Sequence, residues 1–186
     1  MWTVFWKMTM RIGGFEEQSL SDGDGVRFVI FMSGCIHNCP GCHNPAMQDY
    51  AYGKEYEIHE VIAKIREYKD WIQGITLSGG DPLFQLNSTQ EFLERFRRVE
   101  DFKHLDVWLY TGYKFESIPK FITRHVDVIV DDKFNSDLPK AKFRGSANQR
   151  IMVKFPGTNK FIKRVYEEDY QEESEDERRD KSEEGE

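Results

Sequence analysis

Three thiols stand within eight residues, Cys35-Ile36-His37-Asn38-Cys39-Pro40-Gly41-Cys42, and this C-x3-C-x2-C loop holds every cysteine of the 186-residue chain. Thiolates on so short a loop can converge on one face of an iron–sulfur cubane, a cluster held by cysteine thiolates. With no fourth cysteine, a four-iron cluster keeps one iron without a cysteine ligand, and a substrate can bind that iron directly. The alternative is structural zinc, with Cys35, Cys39 and Cys42 joined by His37 or His43 in a Cys3His site. A disulfide framework would spread cysteines in pairs, so an odd number in one loop points to a metal or cluster in a reducing compartment. A second feature is Gly79-Gly80-Asp81-Pro82. Its glycines let backbone approach a ligand that a Cβ would block, although the turn also fits an ordinary strand-to-helix connection. The zinc reading leaves this turn unexplained.

Both features need elements to position them. Residues 26–32 (VRFVIFM) are β-branched and aromatic, follow the turn cluster Asp22-Gly23-Asp24-Gly25 and lead straight into the cysteine loop, so they predict a buried strand. Ile58, Val61, Ile62 and Ile65 recur at helical spacing. Residues 74–78 predict a second strand that ends in the glycine pair. Ser88-Thr89-Gln90-Glu91 has capping-box spacing ahead of Phe92, Leu93, Phe96 and Val99, which predicts a second helix. Strands at 106–110, 126–130 and 150–153 are expected, with a short helix around Ile118, Phe121 and Ile122 between the first two. Alternating strands and helices mean βαβ units, hence an α/β fold with a mostly parallel sheet. A full eight-fold barrel takes about 250 residues, so the expected form is a partial (βα) barrel. Chemistry in such sheets sits at the carboxyl ends of strands. The cysteine loop, the Gly-Gly turn, Thr111-Gly112 and Asp131-Asp132 should therefore meet on one rim.

The formal charge of −7 is unevenly spread, because residues 167–186 carry 12 acids and 3 bases. The remainder is close to neutral, and nothing in that balance calls for a nucleic acid or an anionic membrane as partner. Residues 1–166 are expected to form one domain and residues 167–186 a disordered acidic tail. No apolar run approaches the ~20 residues of a membrane span. Residues 1–10 lack the basic and long apolar regions of a signal peptide, and Met8 or Met10 also suits as a start. A cytoplasmic location is expected.

Further runs carry a family resemblance. Asp22-Gly23-Asp24-Gly25-Val26-Arg27, Ser33-Gly34-Cys35, the three-cysteine spacing and His43-Asn44-Pro45 resemble the radical S-adenosylmethionine activases that install glycyl radicals. Ser78-Gly79-Gly80-Asp81-Pro82-Leu83, Tyr110-Thr111-Gly112-Tyr113 and residues 143–150 (FRGSANQR) are similar to the activating components of anaerobic (class III) ribonucleotide reductases. The resemblance covers residues 10–152. It implies a radical S-adenosylmethionine domain with a [4Fe-4S] cluster on Cys35, Cys39 and Cys42. S-adenosylmethionine would chelate the open iron, and one electron would cleave it to methionine and a 5′-deoxyadenosyl radical. That radical would take hydrogen from a glycine on the large subunit of the reductase, with an electron donor such as flavodoxin. The cofactor supplies the chemistry and the protein orients it.

The resemblance also implies site residues. Ser78, Gly79, Gly80 and Asp81 would lie along the methionine part of S-adenosylmethionine, and Gly80→Val would weaken its binding while sparing the cluster. Gly41 stands where many members of the superfamily carry an aromatic residue against adenine, which makes His43 a candidate for that contact. Asp24 replaces a proline common in these activases and leaves its turn less rigid. Asp131 is a candidate for a ribose hydroxyl, and Asp131-Asp132 equally fits a helix cap or solvated turn. His37, His59, His104 and His125 read as surface or loop residues, Tyr110 and Tyr113 as rim packing. Asn148-Gln149-Arg150 suits either the site wall or a partner's docking surface. The rival functions are activation of another glycyl radical enzyme, small-molecule radical chemistry, and a non-catalytic Cys3His zinc module.

Overall fold

In the structure, a computed structural model describing residues 8–166, the sheet begins earlier than the sequence pattern announces. β1 (Thr9–Ser19) buries Met10 and Ile12. Gly13-Gly14 and Glu16-Glu17 interrupt its alternation, and the ladder to β2 slips at two places along it. β2 (Arg27–Met32), β4 (Gly74–Gly79) and β5 (Asp106–Tyr110) occupy the expected positions, and β6 (Val128–Asp131) starts two residues late. β3 (Lys54–Glu57) and β8 (Phe161–Arg164) are short edge strands with little apolar signal. β7 (Arg150–Lys154) falls where a strand is expected.

The eight strands form one sheet in the order β3-β1-β2-β4-β5-β6-β7-β8. The ladders joining β2, β4, β5 and β6 are parallel. Those on either flank are antiparallel. Since β1 and β7 alone reverse, six of the eight strands run one way. The expectation of a mostly parallel α/β sheet holds at that level. β7 is antiparallel because the 132–149 segment returns without a crossover helix, which a parallel neighbour would need. The end strands β3 and β8 do not pair with one another.

The helices pack on one face. α1 (Ile58–Tyr68) buries Ile58, Val61 and Ile65, and its first turn is closed by the Glu57 N–H donating to the Glu60 carboxylate at 2.7 Å. α2 (Leu86–Arg98) buries Phe92, Leu93 and Phe96. It begins before Ser88, so the expected capping box does not form. The Ser88 hydroxyl instead donates to the Thr9 carbonyl at 2.7 Å, and Thr89 donates to Pro82 at 2.6 Å. The true start signal is Asp81-Pro82, whose carboxylate accepts the Leu83 N–H at 2.8 Å and opens a 3-10 turn, Pro82–Gln85. α3 (Lys120–Thr123) is one turn. Phe28, Ile30, Met32, Ile75, Leu77, Val107, Leu109 and Ile129 meet these helices in the main core. Side chains alternate across strands, so Phe31, Ser78 and Tyr110 face the other way. There a smaller cluster of Trp108, Val128, Val130 and Ile151 leaves room for a cavity.

Arg27 stitches the parallel strands from that second face. It is fully buried, lies 5.6 Å from the Trp108 ring, donates to the Ile75 carbonyl at 2.6 Å and pairs with Asp106. Burial lowers its pKa from the ordinary value and Asp106 opposes that shift. Arg27→Met should cost about 3 kcal/mol, the low end for breaking a buried pair, because Asp106 retains access to water. Denaturant unfolding of the two proteins measures it.

Candidate active site at the cysteine loop

The cysteine loop is seated on the end of β4 by backbone contacts. The Gly80 N–H donates to Met32 at 2.7 Å and the Asp81 N–H to Gly34 at 2.9 Å. The returning chain adds Gly34 N–H to Met47 at 2.8 Å and Cys35 N–H to Gln48 at 3.1 Å. Gly79 adopts φ +106°, in the region that favours glycine. A Cβ on Gly80 would stand 2.5 Å from both the Gly34 and the Met47 carbonyl oxygens. The glycine pair therefore serves close approach of backbone to backbone. Gly80→Val would displace the cysteine loop itself, which corrects the expectation that it spares the cluster.

Asp81 is the hub. Its buried carboxylate accepts from the Leu83 N–H, from the Thr111 hydroxyl at 2.9 Å and from the Gly112 N–H at 3.0 Å. It also holds His37 Nε2 at 2.7 Å. One side chain thus joins the cysteine loop, the end of β4 and the end of β5. His37 is correspondingly no surface residue: its side chain is 7% exposed and its ring meets Tyr113 edge-on at 4.6 Å. Sequence position between two cysteines hints at a role, but its partner lies 44 residues away.

Above this seat is a cavity of about 260 Å³ lined by Cys35, Cys39, Cys42, His43, Ser78, Gly79 and Gly80, with Tyr110, Thr111 and Gly112 from the end of β5. The expected rim is thereby assembled. Asp81 lies beneath it as a scaffold and does not line it. Asp131 is displaced from its expected role. It is fully buried, accepts the Phe115 N–H at 2.6 Å, is paired to Arg150 and does not line the cavity, so it is not placed to meet a ribose. The same contacts, with Glu116, raise the Arg150 pKa well above its ordinary value. Tyr110 lines the floor and donates to the Phe143 carbonyl at 2.8 Å. Burial pushes its phenol pKa upward, which keeps it protonated.

The donors suit a cluster better than a single ion. All three thiols are free, half-buried and on one cavity. Burial raises the Cys35 thiol pKa, so its thiolate needs a cationic partner. A cubane takes thiolates at separate corners, whereas zinc needs its ligands gathered about one point. Among the described residues no such single-ion group of three His, Cys, Asp or Glu occurs. His37 is committed to Asp81, and His43 packs on Phe134 at 4.6 Å.

Comparison with known proteins agrees. Residues 21–152 match the family model for a 4Fe-4S single cluster domain, the class that this fold and loop define. The anaerobic ribonucleoside-triphosphate reductase-activating protein of Enterobacteria phage T4 is 40% identical over 134 residues, 70% of this chain and 85% of the relative. Its counterparts in Haemophilus influenzae and Escherichia coli K12 are each 36% identical, over 70% of this chain and 89% and 90% of theirs. The chain belongs to the family of anaerobic ribonucleoside-triphosphate reductase-activating proteins. The solved structure of QueE from Escherichia coli overlaps 56% of this chain and 53% of its own at a TM-score of 0.41 and 16% identity, a likeness too slight to bear on function.

Asp81→Ala would leave His37, Thr111 and the Gly112 N–H without their acceptor, at about 1–3 kcal/mol for each buried donor. The unfolding midpoint should drop, and iron and sulfide per chain after anaerobic reconstitution should fall with it. Gly80→Ala should lower the same iron content by shifting the loop. Wild-type iron retention in both variants would refute the seating described here.

Proposed function

We propose that this chain is a radical S-adenosylmethionine activase that generates a glycyl radical on the anaerobic ribonucleotide reductase. The observation that carries the reading is that three thiols of one loop and the glycine end of the neighbouring parallel strand share one cavity at the carboxyl end of the sheet. In this reading the sheet is a partial barrel of the radical S-adenosylmethionine type, and the protein works in the cytoplasm with an electron donor such as flavodoxin. Among the described residues no helix is long and apolar enough to cross a membrane.

When bound, a four-iron cluster with one iron free of cysteine supplies the electron that cleaves S-adenosylmethionine into methionine and a 5′-deoxyadenosyl radical. Cys35, Cys39 and Cys42 would hold it. Asp81, through His37, fixes where the loop presents those thiols. Ser78, Gly79 and Gly80 offer a backbone wall without bulk beside them. The main core seals the opposite face of the sheet from water, and such exclusion protects reactive species.

The remaining side is suited to a macromolecule. Leu20, Ile36 and Leu138 are 72%, 62% and 39% exposed. They sit on the same three loops as Ser21, Cys35 and Lys140, which line the cavity. Apolar groups exposed on loops that border a cavity offer a partner protein surface to cover. A partner that inserts its glycine-bearing loop would complete the shield, which a small metabolite would not.

Mixing the reduced protein with S-adenosylmethionine and the reductase should give a glycyl doublet in the paramagnetic resonance spectrum. Deuterium at that glycine's α-carbon should appear in 5′-deoxyadenosine. Alanine at Cys35, Cys39 or Cys42 should abolish both. Label that stays on the reductase while a small metabolite loses hydrogen would refute the activase reading.

Leu20→Glu and Leu138→Glu should lower the glycyl radical yield at limiting reductase while leaving reductase-free cleavage of S-adenosylmethionine at wild-type rate. Equal losses in both assays would remove these side chains from the docking surface.

A further inference from the structure

The aromatic ring beside the third cysteine comes from the segment between β6 and β7. Gly41 precedes Cys42 with φ +66°, and a Cβ built there would meet Ser136 Cβ at 3.1 Å and Phe134 Cε1 at 3.8 Å. Gly145 approaches the same ring from the other side, where a Cβ would lie 3.0 Å from Phe134 Cδ2. Gly145 thus makes room for the half-buried phenyl ring, while Gly41 lies in ordinary contact with it and leaves room for Ser136. His43, next to Cys42, packs on it at 4.6 Å with the planes tilted by 50°, and both rings line the cavity.

The ring is held by its backbone neighbours. The Lys133 carbonyl accepts from Asn148 Nδ2 at 2.8 Å, and the Asn135 N–H donates to Ser146 Oγ at 3.0 Å. Gln149 Nε2 donates to the Asp132 carbonyl at 3.1 Å, and its Oε1 accepts the Gly145 N–H at 2.8 Å. Residues on both sides of Phe134 are therefore fastened to the 145–149 segment. The other cavity rings are otherwise engaged: Phe31 and Tyr110 belong to the sheet floor, His37 is bound to Asp81, and Phe143 packs on Trp108 and Tyr166.

We infer that Phe134, backed by His43, is the platform on which the adenine of S-adenosylmethionine stacks, and that Ser146, Asn148 and Gln149 are positioning residues for it. The inference rests on the S-adenosylmethionine reading above. A purine presents a flat π face to a pre-set ring, and such stacking is lost when the ring is removed.

The test uses the anaerobically reconstituted, cluster-bound protein and equilibrium binding rather than turnover. Phe134→Leu keeps apolar volume and removes the ring. It should weaken binding of S-adenosylmethionine and S-adenosylhomocysteine by about 10- to 100-fold. Affinity for S-methylmethionine, which keeps the sulfonium amino acid and lacks the nucleoside, should stay at the wild-type value, as should iron content. Phe134→Tyr should restore nucleoside binding. Wild-type affinity for S-adenosylmethionine in Phe134→Leu overturns the inference, and so does an equal loss for S-methylmethionine, which would mark a structural role. Wild-type protein that holds the cluster yet binds no S-adenosylmethionine would instead refute the underlying reading, and the platform with it.

Discussion

The site depends on one buried carboxylate. Asp81 gathers donors from three segments, the cysteine loop through His37, its own turn through the Leu83 N–H, and the end of β5 through Thr111 and Gly112. A buried charge is tolerable only when its acceptor capacity is filled, so these segments cannot separate independently. The cysteine loop contains no regular secondary structure besides turns, and its placement is borrowed from the sheet through this residue.

Glycine works alongside that charge as a spatial constraint. Gly34, at φ +93°, leaves room for the Phe84 ring, and Gly80 leaves room for the Gly34 and Met47 carbonyls. Close packing transmits small volume changes, so the strand end and the loop behave as one body. Three non-glycine residues with positive φ, Asn38, Asp132 and Phe143, also belong to the loops around the cavity. Strain of this kind concentrates where surrounding structure over-determines the backbone.

The two faces of the sheet divide the labour. On one, aliphatic and aromatic side chains from alternate strand positions meet α1 and α2 and supply the main apolar burial. On the other, buried polar residues such as Arg27 and Thr76 tie neighbouring strands together around a smaller apolar patch. That arrangement lets the second face carry a polar cavity without surrendering the order of the strands. Asp131 stands on the helix-covered face with Ile129; its place at the end of a parallel strand suggests a ligand contact, while its carboxylate pairs with Arg150 across the β6–β7 ladder.

The sequence by itself determined the thiol chemistry, because three cysteines within eight residues are local and their spacing does not depend on the fold. It also determined β2, α1, β4 and β5, whose apolar periodicity is strong enough to survive without tertiary context. Short or broken strands such as β1, β3 and β8 carry too little of that signal, and the start of α2 was masked by a capping pattern at Ser88 that Asp81-Pro82 overrides. The pairing of His37 with Asp81, the withdrawal of Asp131 into an ion pair and the arrival of Phe134 beside Gly41 were decided only in three dimensions. Each joins residues far apart in the chain, and nothing local to either partner specifies which distant group the sheet order will bring against it.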